Sequence, residues 1–176
     1  SQELDRSMQL ICKIMGDIRS ISHQLHPGLL EDYGLGAALE ELGRDFTQRT
    51  SIEVKVKRLS IRNILSKEVK TALYRIAQES LTNIERHADA SKVNMSIKLV
   101  PGWLVMEISD NGHGFDYQGY DKSKKNTAHQ GIGLRNMKER LSFYQGDLKI
   151  KTDKTGTTIC ARIPQSQLRY NDSNAS

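Results

Sequence analysis

The 176-residue sequence has few cysteines, few aromatic residues and no long apolar run. Its two cysteines, Cys12 and Cys160, are far apart, and no C-x-x-C pair or histidine-rich cluster accompanies them. A zinc site and a disulfide framework are therefore not expected. No stretch approaches the roughly 18 apolar residues that a membrane span requires, and the N-terminus lacks the layout of a signal peptide. We expect a folded, cytoplasmic chain without a membrane segment, and leave open whether a parent protein is membrane-anchored.

The charge of the chain is mild. Its 26 lysines and arginines exceed its 21 acidic residues by five, and they are spread along the sequence. Nucleic-acid binding favours a stronger basic patch with interleaved aromatic residues, whereas aromatic residues make up only 6% here. We therefore expect no nucleic-acid partner. A modest positive charge suits a phosphate-bearing small molecule or an acidic partner protein.

The N-terminal segment carries a heptad pattern of apolar residues from Leu4 to Leu25, with a second apolar stripe beside it. One isolated helix cannot bury so wide a face. The pattern predicts that residues 3–25 pack against other helices, including the same helix of a second chain, or alternatively against the rest of their own chain. Pro27 and Gly28 end this helix.

The remaining pattern predicts helices at 35–49, 67–88 and 134–144, and strands at 52–56, 93–99, 103–109, 148–152 and 157–163. Residues 111–130 are rich in glycine and lysine and too long for a turn, which indicates a functional flap or a disordered insertion. We divide the chain into a partial dimerisation helix and connector (1–33), a main domain (34–164) and a polar tail (165–176) that we expect to be poorly ordered.

Polar residues form a ridge along the predicted helix at 67–88. Glu79, Asn83 and His87 follow a spacing of four, which places them on one side of the helix. They border the predicted buried face of the helix, which carries Val69, Leu73, Ile76, Ser80 and Ile84. The ridge is either a functional surface or a satisfied polar border of the core.

Glycines cluster around a carboxylate at the end of the predicted 103–109 strand, in the motif Asp110-Asn111-Gly112-His113-Gly114. Alternation places Asp110 on the same face as the apolar Met106 and Ile108, at the edge of the core. Gly112 and Gly114 permit close approach of a flat ligand to the backbone. An ordinary turn remains the alternative.

Two further glycine motifs lie downstream. Gly131 and Gly133, with Leu134, open a predicted helix, whose free N–H groups suit phosphate oxygens. Asn136 stands where a dinucleotide fingerprint needs its third glycine, and no P-loop motif occurs. The pair Gly156-Thr157 begins the last predicted strand and offers a hydroxyl to a ligand. Ordinary turn chemistry would account for each of these motifs as well.

Taken in order, these motifs resemble the N, G1, G2 and final G-T boxes in the ATP-binding domain of sensor histidine kinases. The likeness is nearest to the short subclass that works with LuxR-type response regulators, and it covers roughly residues 20–164. The resemblance implies a two-layer α/β sandwich of the Bergerat type, a mixed sheet packed on helices. It also implies ATP and Mg²⁺ as cofactors and a response regulator as partner. A homodimer would form through the N-terminal helix.

The resemblance also implies a role for each motif residue. Asn83 would bind Mg²⁺, and Glu79 would act as a base or orient the nucleophile. Asp110 would accept a hydrogen bond from the adenine amino group, Gly112 and Gly114 would admit the purine, and Thr157 would reach the same adenine edge. Gly131 and Gly133, with Leu134, would close over the phosphates and Arg135 would add charge there. His87 would contact the phosphate side or make a structural hydrogen bond.

The chain departs from the family in one respect. The phosphoacceptor histidine of this family precedes an acidic residue on a helix, and none of the five histidines has an acidic residue directly after it. The simplest interpretation is a fragment that begins after the acceptor helix. Two alternatives stay open: a serine-kinase anti-sigma factor on the same fold, and a degenerate nucleotide-binding interaction module.

Overall fold

A computed structural model describes residues 30, 32–57, 64–115 and 132–169 of the chain. In these ranges the chain forms three α-helices, five strands and one 3-10 turn. The helices are α1 (Gly34–Thr50), α2 (Lys67–His87) and α3 (Ile132–Ser142). The strands are β1 (Glu53–Lys57), β2 (Lys92–Val100), β3 (Trp103–Asp110), β4 (Asp147–Asp153) and β5 (Gly156–Pro164), followed by the 3-10 turn Gln165–Gln167. Every predicted element within the described ranges is present, and its ends shift by no more than two residues.

The five described strands form one mixed sheet in the order β1-β2-β3-β5-β4. β1 pairs with β2 in parallel, and the other neighbours are antiparallel. Pro101 and Gly102 close the β2-β3 hairpin, where Gly102 adopts a φ of 81° that favours glycine. The register pairs Val93 with Asp110. The carboxylate at the end of β3 is thus adjacent to the start of β2.

The helices pack against one face of the sheet and form a two-layer α/β sandwich, as expected. Alternate residues of the central strands face this layer and are buried: Val93, Met95, Ile97, Leu104, Met106, Ile108, Ile159, Ala161 and Ile163. The opposite face carries ion pairs such as Lys98 with Glu107 and Arg162 with Asp147. Period-two alternation in the sequence therefore separates core from solvent across the sheet.

The helix α2 begins where the sequence predicts. The hydroxyl of Ser66 caps it by accepting a hydrogen bond from the backbone nitrogen of Val69 at 3.2 Å. The predicted buried face is buried along its whole length: Val69, Leu73, Ile76, Ser80 and Ile84. Ser80 is fully buried and leaves room for Met137 of α3, whose sulfur lies 3.8 Å from the hydroxyl.

The expectation of a poorly ordered tail from residue 165 is wrong for residues 165–169. Leu168 is 1% exposed, and its carbonyl oxygen accepts a hydrogen bond from the backbone nitrogen of Ser66 at 2.7 Å. A single leucine among polar residues anchors this segment to the core because it buries a full apolar side chain. Leu30, which we assigned to the connector, is also buried in this core.

Several sequence-based predictions lie outside the described residues. They are the helix at 3–25, most of the connector, residues 116–130, Gly131 and the end of the tail. In the described ranges, no helix has both the length and the apolarity that crossing a bilayer requires.

Candidate functional site

The fold brings Asp110 and Thr157 together at the edge of the core. Asp110 Oδ1 accepts hydrogen bonds from the backbone nitrogens of Gly112 at 2.9 Å and Thr157 at 3.3 Å. β3 and β5 are neighbours, and their last registered pair, Ser109 with Thr158, lies directly before this contact. Two backbone donors therefore orient a half-buried carboxylate at the point where β3 ends.

The neighbouring residue, Asn111, has a structural role. Its side-chain oxygen accepts hydrogen bonds from the backbone nitrogens of Ser91 at 3.0 Å and Lys92 at 2.8 Å, and its amide nitrogen donates to the Ser91 hydroxyl. Asn111 thus fastens the loop to the start of β2. Asp110 and Asn111 are adjacent in the sequence, but their side chains bond to different parts of the structure.

Gly112 lies tightly against the end of α2. A Cβ at this position would come within 2.1 Å of the Ala88 carbonyl oxygen, and that oxygen also accepts a hydrogen bond from the His113 backbone nitrogen at 3.0 Å. The contact with Ala88 therefore requires a residue without a side chain at position 112. This packing gives Gly112 a structural role, and its contact with a purine stays a prediction.

Position 114 requires a glycine for two reasons, its backbone conformation and the lack of space for a side chain. Its φ is +65°, and a Cβ would come within 2.0 Å of the Asp153 carbonyl oxygen. The Thr152 hydroxyl binds the neighbouring chain, accepting from the Phe115 backbone nitrogen at 2.9 Å and from the Thr157 hydroxyl at 3.2 Å. The glycine loop is thus held by the β4-β5 hairpin, and its contact with a purine also stays a prediction.

Sequence reasoning missed one residue that shapes this corner. Thr152 connects the glycine loop to Thr157, yet it lies in a strand of alternating lysines that carries no motif. Gly156, singled out with Thr157 in the sequence, has a packing role that the motif did not indicate. It adopts a φ of +135°, and a Cβ there would come within 2.0 Å of the Asp110 carbonyl oxygen.

The polar ridge of α2 runs away from this corner. Asn83 and Glu79 are half-buried, and His87, the last helical residue, is exposed. With a rise of about 1.5 Å per residue, Asn83 lies about 7.5 Å along the axis from Ala88, and Glu79 about 6 Å further. None of the described residues supplies a hydrogen bond to the His87 side chain. Its two predicted roles stay predictions.

At its far end the ridge meets the start of α3. A Cβ on Gly133 would come within 2.0 Å of Glu79 Oε1, so the carboxylate lies directly against the glycine backbone. Leu134 is half-buried and packs against the core. Arg135 is 74% exposed and pairs with Glu139 along the helix at 3.3 Å. The structure therefore brings Gly133 to Glu79, while Arg135 points along the surface of α3.

The donors and acceptors follow an order along α2. A carboxylate acceptor lies at its C-terminal end, amide and carboxylate oxygens lie along its side, and the N-terminus of α3 meets it at Glu79, near its middle. Asn83 offers a hard oxygen ligand that suits Mg²⁺. Among the described residues, no cluster of three or more His, Cys, Asp or Glu side chains could hold a metal ion. This donor set fits a magnesium ion that takes one or two ligands from the protein and the rest from phosphates and water.

Comparison with known proteins identifies the family of the chain. Residues 68–167 match the family described as histidine kinase-, DNA gyrase B- and HSP90-like ATPase. The sensor histidine kinase MctS of Rhizobium johnstonii is 42% identical over 94% of this chain and 35% of its own length. The signal transduction histidine-protein kinase/phosphatase DegS of Brevibacillus brevis is 32% identical over 93% and 41%. The chain thus spans roughly two fifths or less of these curated relatives.

Solved structures share the fold. The blue-light activated histidine kinase of Erythrobacter litoralis EL346 superposes with a TM-score of 0.67 and 22% identity, over 86% of this chain and 50% of that protein. The histidine kinase AdeS of Acinetobacter baumannii gives a TM-score of 0.60 and 14% identity, over 89% and 84%. At these identities the likeness concerns the fold alone.

Proposed function

Because this chain belongs to the histidine kinase-, DNA gyrase B- and HSP90-like ATPase family, we propose that it is the ATP-binding catalytic part of a sensor histidine kinase. It binds Mg-ATP and transfers the γ-phosphate to a histidine on a dimerisation helix, for relay to a response regulator. The observation that carries this proposal is the order along α2. Asp110 lies at the C-terminal end of the helix, Asn83 follows along its side, and Glu79 meets Gly133 near its middle.

The C-terminal end of α2 is the proposed adenine end. The Asp110 carboxylate accepts a hydrogen bond from the adenine amino group, and Thr157 reaches the same edge through its hydroxyl or a water. Gly112 and Gly114 let the purine lie close to the backbone. The support is that Asp110 is already oriented by two backbone donors, so no reorganisation is needed when the ligand arrives.

The Glu79 end of the polar ridge, near the middle of α2, is the proposed phosphate end. Bound Mg²⁺ would neutralise charge on the phosphates, and Asn83 would be its protein ligand. Glu79 acts as the base or orients the attacking imidazole. Gly131, Gly133 and Leu134 present backbone N–H groups toward phosphate oxygens, Arg135 adds positive charge, and His87 contacts the phosphate side or makes a structural bond. Positioning, more than covalent chemistry, is what these residues supply.

No histidine here precedes an acidic residue, so the acceptor histidine of this proposal lies on a separate helix that carries this motif. We propose that residues 1–33 include part of the dimerisation hairpin, that residues 34–164 form the ATP-binding unit, and that residues 165–176 form its tail. The N-terminal helix pairs with the same helix of a second chain. The activity takes place in the cytoplasm, in keeping with the two widely separated cysteines.

Two measurements test the proposal. An ATP analogue with Mg²⁺ should raise the melting temperature of the chain. At a hundredfold excess over Kd, the free energy of unfolding should increase by about 2.7 kcal/mol. A version extended at its N-terminus by an acceptor helix should gain acid-labile phosphate from ATP. Acid-stable phosphoserine on a partner protein would contradict histidine transfer and favour the anti-sigma-factor alternative, and a chain that no nucleotide stabilises would contradict ATP binding.

A further inference from the structure

The Glu79 carboxylate occupies the volume that a side chain at Gly133 would need. An ideal Cβ on Gly133 would lie 2.0 Å from Oε1, 2.9 Å from Cδ and 3.4 Å from Cγ of Glu79. Gly133 is not among the described glycines with positive φ, so its backbone is compatible with any residue. The reason for a glycine at this position is therefore the space taken by the carboxylate.

The backbone at Gly133 is held in place beside Glu79 by the packing of α3. Met137 and Leu141, on the same helix, are 2% and 0% exposed and fix α3 against the core. The buried Ser80, next to Glu79 in sequence, contacts the Met137 sulfur at 3.8 Å. In the described part of the chain, no group donates a hydrogen bond to the Glu79 carboxylate. Among the described residues, packing against α3 is the contact that constrains the carboxylate.

We propose that Gly133 is a positioning residue for Glu79, a role that rests on the proposed function of Glu79 in phosphoryl transfer. A methyl group at position 133 would push the carboxylate away from the start of α3. Because the clash is with the end of a flexible side chain, the fold tolerates it. Gly112 differs, since a Cβ there would meet the backbone oxygen of Ala88 at 2.1 Å, which cannot swing aside.

The test is Gly133→Ala in the version of the protein extended by an acceptor helix. Alanine forms helices better than glycine, so the melting temperature should not fall. Nucleotide affinity should stay within about threefold, because no ligand contact of the backbone is removed. The phosphorylation rate at saturating ATP should fall about 10- to 100-fold, a partial loss of the roughly 10²- to 10⁴-fold that general-base catalysis supplies. This pattern is a loss of kcat with KM unchanged.

A double-mutant cycle separates this role from a direct phosphate contact. If Gly133 acts through Glu79, Gly133→Ala combined with Glu79→Gln should be no slower than Glu79→Gln alone. Multiplied losses, weaker nucleotide binding or an unchanged rate in Gly133→Ala would each overturn the proposal. If Gly133→Ala lowers the melting temperature, the shorter Glu79→Asp should restore it in that background, and failure to restore it would also overturn the proposal.

The failure of the proposed function gives a different result. Full activity of Glu79→Gln removes Glu79 from the chemistry, and with it the role of Gly133, but nucleotide binding remains. If ATP and Mg²⁺ leave the melting temperature of the unmodified chain unchanged, the ATP-binding proposal itself fails. The two outcomes are read from separate measurements.

Discussion

The Asp110 carboxylate accepts a hydrogen bond from the backbone nitrogen of Thr157 at 3.3 Å, across the junction of two strands that are distant in the sequence. The same oxygen, Oδ1, accepts from the Gly112 backbone nitrogen. Both bonds end on one oxygen, and no donor from the described residues reaches Oδ2. Among the described residues, the carboxylate is therefore held through one oxygen, Oδ1.

Asp110→Asn should abolish the rise in melting temperature that ATP and Mg²⁺ produce. The asparagine oxygen still accepts the two backbone bonds, so the unliganded stability should change by about 1 kcal/mol or less. The other position becomes an amide nitrogen, a donor that opposes the donor of the adenine amino group. Differential scanning fluorimetry with and without nucleotide measures both quantities.

The neighbouring Asn111→Ala is the control. It removes three hydrogen bonds that fasten the loop to β2. The melting temperature without ligand should therefore fall, and the free energy of unfolding should decrease by about 1–2 kcal/mol. The nucleotide-induced rise should persist. If Asp110→Asn keeps the full rise, Asp110 has no role in adenine binding.

Asn83→Ala should remove the part of nucleotide binding that depends on Mg²⁺. Titrations with a fluorescent ATP analogue in magnesium and in EDTA should then give nearly the same Kd, whereas the unmodified chain should bind more tightly in magnesium. Thr82→Ala is the matched control, since it removes a methyl group and a hydroxyl that bonds to the Gln78 carbonyl oxygen within the same helix. A magnesium effect that survives in Asn83→Ala would contradict the ligand role.

Leu168→Ala should destabilise the whole domain by about 2–4 kcal/mol, because the side chain is 1% exposed in the common core. Urea denaturation followed by circular dichroism measures this loss. Ser166→Ala, at an exposed position in the same turn, should change stability by about 0.5 kcal/mol or less. Equal urea concentrations at the midpoint of unfolding for the two variants would contradict the burial of Leu168.

Cys160 should react slowly with iodoacetamide. Burial raises the pKa of its thiol, and the negative charge of Glu107 adds to this effect. Because the thiolate is the nucleophile, the reaction should lag several-fold behind that of the urea-unfolded chain at pH 8 and increase at higher pH than for a free cysteine. Mass spectrometry of the Cys160 peptide follows the reaction. Glu107→Gln should speed it, and equal folded and unfolded rates would contradict the shift.

Much of the fold could be predicted because local patterns dictated it. Met95 and Ile97 alternate with polar residues and are buried in β2, and Ser66 caps α2 as its residue type indicates. Leu168 was misjudged because composition averages over a window, whereas burial depends on what a single side chain reaches in space. The packing role of Gly112 was missed for the same reason, since its neighbour Ala88 comes from another element.

The sequence by itself determined the identity and order of the elements and the spacing that puts Glu79 and Asn83 on one side of α2, because these follow from periods of two and 3.6 residues. The tertiary structure decided which groups meet across elements. The contacts of Asp110 with Thr157 and of Glu79 with Gly133 join residues far apart in the chain. No local rule fixes such contacts, because they depend on how the helix layer and the sheet close around a shared core.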